Sequence, residues 1–153
     1  ECGHVHNDHV VYLTAMHYLR TVLGVLMPWF GAPAMLALSS WSRRAEITCD
    51  RAGALCAGSI DHSTRALAKL ALGSTKLYEQ FNMDAFLEQY EEGQEGVGKF
   101  TEVTASHPWL PKRVMALRVF AESELYRKHV GLDGGLSMDD TDEKVHSVIK
   151  VLG

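Results

Sequence analysis

Cysteine, proline and basic charge are all scarce in this chain of 153 residues. The three cysteines, Cys2, Cys49 and Cys56, are odd in number and form no C-x-x-C pair. That excludes a disulfide-stapled scaffold and points to free thiols in a reducing compartment. Fifteen Lys and Arg stand against 19 Asp and Glu, a net charge of -4, and the basic residues are scattered. No face is available to follow a phosphate backbone, so nucleic acid is excluded as a partner. There is no internal repeat, no low-complexity tract and no alternating apolar–polar run of useful length. The first residues are polar and acidic rather than basic and then apolar, so no secretory leader is expected. The chain does not open on Met, and a piece of a longer polypeptide is expected.

One stretch is rich where the rest is sparing. Residues 21–38 carry no charge over 18 positions, close to the shortest length that spans a bilayer. Two of the four prolines, Pro28 and Pro33, with Gly31 between them, fall in its middle. Proline removes a helical hydrogen bond and clashes with the preceding turn, so the run should fold back on itself. A buried helix–turn–helix is expected, with a membrane-embedded hairpin as the other outcome.

The hydrophobic share of 46% supports one compact core. Its spacing is helical throughout. Apolar residues recur at three and four over 8–27 (Val11, Ala15, Tyr18, Leu19, Val22, Leu26) and over 34–57 (Trp41, Ala45, Thr48, Cys49, Ala52, Cys56). Helices are also expected over 64–72 after a cap at Asp61 or Ser63, and over 83–92 after Asn82. A further helix over 112–129 follows Pro108 and Pro111. The last, over 142–152, follows Asp140, which stands three residues before Glu143 as in a capping box. Residues 92–98 (EGQEGVG) lack the Gly-Lys-Ser/Thr ending of a phosphate loop and read as a glycine-rich surface loop. The fold class is all-α.

Three short segments could carry chemistry. The chain opens E-C-G-H, so Glu1 and His4 are three apart and share neighbouring faces of a helix. Such a pair is common by chance. Glu46 and Asp50 are four apart on one helix and share a face, next to Arg43, Arg44 and Arg51. They are either surface ion pairs or a costly buried pair that calls for a cation or donors. The sequence SHPWLPKR sets His107 at a proline-framed helix entry, where it is either a polar lead-in or a donor into a cleft.

Taken in order, the three segments resemble the zinc endopeptidase family of HtpX and the CAAX prenyl endoproteases. That family carries H-E-x-x-H, then E-x-x-x-D on a later helix, then H-P with an Arg six residues after the His. Here E-C-G-H, AEITCDRAG and HPWLPKR match it, the last with His107 and Arg113 at the required spacing. The likeness covers about residues 1–129. It implies a helical zincin-type domain with Zn2+ as cofactor and a peptide or protein substrate. Glu1 would be the general base, His4 and Glu46 zinc ligands, and Asp50 a partner that orients a ligating imidazole. His107 and Arg113 would line the cleft and help to hold substrate or the oxyanion.

The first His of the motif would stand before Glu1. With two protein ligands the chain alone is expected to bind zinc weakly and to be inactive. His6 and His9 are three apart and could hold a stray metal, but they read as polar helix residues beyond the motif. Residues 1–130 are expected to be the C-terminal part of the catalytic domain. Residues 131–153 would be a linker and a short amphipathic helix, docked through Val145, Val148, Ile149 and Leu152 on the core or on a partner. The competing function is a non-catalytic helical interaction or scaffold module. The expected location is the cytoplasm or the cytoplasmic side of a membrane, with membrane association left open.

Overall fold

A computed structural model describes residues 2–22, 32–92 and 108–150. Among these the chain is all-α, with no strand and one isolated parallel bridge, between Ser123 and Leu136. The helices are α1 (Cys2–His6), α2 (His9–Val22), α3 (Ala32–Ala57), α4 (Ile60–Leu72), α5 (Thr75–Glu79), α6 (Met83–Glu92), α7 (Leu110–Ala121), α8 (Glu124–His129) and α9 (Met138–Ile149). Glu1, His107, Leu152, most of the turn expected near 28–33 and most of the loop expected over 92–98 lie outside the described residues. No helix among the described residues is long and apolar enough to cross a membrane.

The long α3 and the short α7 are the centre of the fold. Helices α1, α2, α4 and α7 pack against α3, and α7 is covered further by α4, α6, α8 and α9. Neighbours on several sides explain why α7 is buried almost all round: Pro111, Lys112, Val114, Ala116, Leu117 and Phe120 are all inside. Ala116 and Leu117 point about 100° apart and serve two different clusters. Ala116 packs with Ile47, Val145 and Ile149, joining α7, α3 and α9. Leu117 and Phe120 pack with Ala54 and Tyr126, flanked by Ile60, Leu67 and Met138. The stripe at Val145, Val148 and Ile149 therefore docks on the protein's own core. The buried Lys112 reaches out of this interior, and its ammonium donates to the backbone carbonyl of Lys150 at the end of α9. A cation suits that position, because the last carbonyls of a helix lack partners.

Helix starts follow local capping, and those of α4 and α9 differ from expectation. Helix α6 begins after Asn82, whose Oδ1 accepts from the amides of Asp84 and Ala85. Helix α4 starts earlier than expected, because Ser59 rather than Asp61 or Ser63 is the cap and its Oγ accepts from the His62 amide. Helix α9 likewise starts at Met138, with Ser137 capping the Asp140 amide.

The expected continuous helix over 112–129 is two helices. Ser123 interrupts it, fully buried, donating to Phe120 O at 2.7 Å and accepting from the Tyr126 amide at 3.1 Å. The break is held from outside as well. Glu124 N donates to Leu136 O, and Leu136 N donates to Glu122 O, both at 2.8 Å. Arg127 donates to the carbonyls of Asp133 and Gly134 and folds that connection inward.

Helix α2 departs from the sequence reading in its facing. Val11, Tyr18 and Val22, expected inside, are exposed, and the buried residues are His9 and Met16. Apolar residues occur nearly all round this helix, so periodicity alone does not choose a face. The choice falls to Trp41 on α3, which packs against His9 and Tyr12.

Replacing Ser123 by Ala removes a cap inside the core and should cost about 1–2 kcal/mol in urea unfolding. Gly135→Ala should cost more. A Cβ there would lie 2.7 Å from both Glu122 O and Glu124 N, with φ at +130°. Equal midpoints for the two variants and the parent would rule out this account of the break.

Candidate metal centre

The site is assembled where α1, the middle of α3 and the first turns of α7 meet. On α3, Glu46, Cys49 and Asp50 are three and four apart and so share one face. Residue 113 of α7 crosses that face. Its guanidinium makes a two-point pair with Asp50, Nε to Oδ2 at 2.8 Å and Nη2 to Oδ1 at 2.6 Å. The same Nη2 lies 3.3 Å from Glu46 Oε2. Arg113 thus ties α7 to α3 through two carboxylates.

The Asp50 side chain is only 7% exposed and that of Arg113 21%. Burial is the strongest influence on Asp50 and pushes its carboxyl above the ordinary carboxylate range, against the pull of the Arg113 hydrogen bonds and charge. For Arg113 burial disfavours the charge. Hydrogen bonding and attraction to Asp50, with help from Glu46, overcome it and hold the group above its usual value. The pair is ionic, because short two-point contact is the geometry of guanidinium on carboxylate. Each charge tolerates burial only because the other is there.

Opposite Arg113, the second oxygen of Glu46 faces α1. His4 Nε2 is 3.4 Å from Glu46 Oε1, with both side chains largely buried. Two ligands about 2.0–2.2 Å from a tetrahedral ion stand about 3.4 Å apart, so this imidazole and carboxylate fit one cation. Of the residues singled out from the sequence, the structure brings together His4, Glu46, Asp50 and Arg113.

Two residues that sequence reasoning left out stand in the same place. Helix α1 ends after His6, where Asn7 Nδ2 bonds back to Gly3 O at 2.8 Å and Asp8 takes φ +55°. Asn-Asp is a pair that adopts such turns readily, because a short polar side chain lowers the cost of the left-handed region. The turn returns His9, the first residue of α2, towards His4. The two Nδ1 atoms are 3.1 Å apart. His9 is 8% exposed, set edge-on against Trp41, whereas His6 is exposed. Burial and then the nearby His4 lower the pKa of His9, against Glu46 and Asp8. Cys49 Sγ lies 3.8 Å from His9 Nδ1. One ligand atom each from His4, His9 and Cys49 lies within 4.8 Å of the others, close enough to bind a metal ion. For Cys49 a signal existed in its place on the Glu46 face. For His9 the signal was its spacing from the exposed His6 and not from His4, because five residues beyond His4 on an unbroken helix it would point well away.

The comparisons with known proteins give the family. Residues 1–121 match the family model for peptidase family M48. Plastoglobule-localized metallopeptidase 48, chloroplastic, of Arabidopsis thaliana is 41% identical over 93 residues, which is 58% of this chain and 27% of that protein. The chain thus spans about a quarter of the length of that relative. No solved structure matches.

Cutting the Arg113 fork while keeping its bulk, as in Arg113→Met, leaves the Asp50 carboxylate buried without its donors. Urea unfolding should show a loss of about 3 kcal/mol; a loss under about 1 kcal/mol would mark the pair as an ordinary surface one. His9 gives a dependence on pH. Its folded pKa lies below the ordinary 6.5, so the unfolded chain binds its proton more tightly. The contribution is therefore complete above 6.5 and lost as pH falls through that value towards the folded pKa. The thermal midpoint should rise with pH across this window, and His9→Gln should flatten the rise.

Proposed function

The chain belongs to peptidase family M48, and on that premise we propose that it carries part of the catalytic centre of a zinc-dependent metalloendopeptidase. At family level the chemistry is that of a metallopeptidase, with a metal cofactor and peptide or protein substrates. The observation that carries the finer reading is the 3.4 Å approach of His4 Nε2 to Glu46 Oε1, beside the Arg113–Asp50 pair. His4 and Glu46 would hold the zinc. When bound, zinc supplies a Lewis acid that polarises a peptide carbonyl and brings the pKa of water at the site to about 7.

The chain's own residues divide the remaining work. Glu46 uses its two oxygens differently. Oε1 faces His4, and Oε2 lies against Arg113, which fixes the rotation of the carboxylate. A ligand held in this way keeps its orientation when the cation is absent. Asp50 acts one step further out by fixing the Arg113 fork. Glu1 is the general base of the proposal. Its carboxylate accepts a proton from the attacking water and returns it to the departing amide nitrogen. His107 and Arg113 complete the proposed cleft. In this family's pattern a further imidazole precedes Glu1, one turn from His4, and completes the three protein ligands that catalytic zinc sites use. On this reading the 153 residues alone do not turn over substrate.

The test uses a longer polypeptide, this chain extended before Glu1 to carry the further imidazole of the family pattern. His4→Ala and Glu46→Gln should each lower the zinc content measured after dialysis and abolish cleavage of a casein substrate. Glu1→Gln should keep its zinc and lose about 10²–10⁴-fold in rate, the usual worth of a positioned base. Zinc content unchanged in Glu46→Gln would remove Glu46 from the ligand set. Undiminished cleavage in Glu1→Gln would remove the base.

A further inference from the structure

We propose that His4, His9 and Cys49 form a second cation site, of soft-donor character, that competes with Glu46 for His4. Two of its three donors lie outside the ligand set proposed above, and the third presents its other ring nitrogen. The nearest pairs are His4 Nδ1 to His9 Nδ1 at 3.1 Å and Cys49 Sγ to His9 Nδ1 at 3.8 Å. A tetrahedral ion with Zn–N of about 2.0–2.1 Å and Zn–S of about 2.3 Å sets its ligand atoms about 3.3–3.6 Å apart. These two spacings need shifts of only a few tenths of an ångström, and the His4–Cys49 pair has to close from a separation of up to 4.8 Å. Two imidazoles and a thiolate suit Zn2+, Co2+, Cd2+ or copper, and do not suit Mg2+ or Ca2+.

Local packing keeps the donors in place. The His9 ring is held edge-on by Trp41 at 5.2 Å. Gly3 lets the backbone of α1 come down on Cys49, since a Cβ at that position would lie 3.0 Å from Sγ.

The competition follows from the chemistry of one ring. A neutral imidazole has a single lone pair, on the nitrogen that carries no proton. An ion shared with Glu46 takes His4 Nε2, so Nδ1 holds the proton and points it at His9. An ion shared with His9 and Cys49 takes His4 Nδ1, so Nε2 holds the proton and points it at Glu46 Oε1, 3.4 Å away. The two occupancies therefore require opposite tautomers of His4. An ion on the thiol side withdraws a ligand from the proposed catalytic position and would inhibit it. Only this consequence rests on the peptidase reading; the existence of the thiol site does not.

Cobalt(II) titration of the 153-residue chain tests it, because cobalt bound to thiolate gives a near-ultraviolet sulfur-to-metal charge-transfer band that nitrogen and oxygen ligands lack. Exposed Cys2 and Cys56 are first replaced by Ser, which should leave the band intact. Adding Cys49→Ser should abolish it, and adding His9→Gln should weaken cobalt binding about tenfold or more. Glu46→Gln should leave the band in place, since Glu46 belongs to the other position. Far-ultraviolet circular dichroism of each variant checks that the helices persist, and Gly3→Ala supplies a second probe that crowds the thiol without removing a donor. Absence of the band at saturating cobalt, or a band indifferent to Cys49→Ser, overturns the site. Loss of the band in Glu46→Gln overturns its independence and leaves the peptidase reading standing. Conversely, unchanged zinc content in Glu46→Gln of the longer polypeptide would end the peptidase ligand assignment and leave the thiol site untouched.

Discussion

Arg113 reaches from α7 into the face of α3 and is bound there by two carboxylates at once. That contact constrains the rest of the site. Asp50 and Glu46 stand four residues apart on one helix, so their charges are held near each other whatever else happens. Without a cation between them the arrangement would be repulsive and poorly solvated. With Arg113 in place, Asp50 is neutralised at two points, and one oxygen of Glu46 is anchored while the other stays directed at His4. The packing of α7 among α3, α4 and α9 is what brings the guanidinium to this depth. Core and site are thus joined through one side chain.

The imidazole side of the site depends on a much smaller feature. Helix α1 has only five residues and contributes no apolar side chain to the core, so little apolar packing holds it. Its position comes from Gly3 lying against Cys49 and from the turn at Asn7 and Asp8. That turn also carries His9 back to His4. One residue with positive φ therefore decides that His4 has an imidazole neighbour on one nitrogen and a carboxylate neighbour on the other. On the ligand assignment proposed above, the ring of His4 stands between two donor sets, one on each of its nitrogens.

The helical class and the resemblance to the zinc endopeptidases were legible in the residues, and both are borne out. The end of α3 and both ends of α6 were legible as well, for local reasons: Asn82 caps within three residues of itself, and Ala57 precedes a glycine with φ +62°. Glu46, Asp50 and Arg113 could be picked out because helical spacing and the motif order act over short distances. The division of α7 from α8 could not. Ser123 is a weak helix breaker alone, and its break is stabilised by Leu136, thirteen positions away. Nor could the exposed face of α2, because a helix apolar nearly all round takes its orientation from its neighbour.

By itself the sequence determined the helical spacing, the capping residues and the set of chemically capable side chains, because each of these depends on residues within one or two turns. The tertiary structure alone decided which of those side chains meet. His9 and Cys49 are forty positions apart, and nothing in the chain paired them. They come together because the turn at Asp8 reverses the path and Trp41 holds the ring, and neither effect is local to both residues.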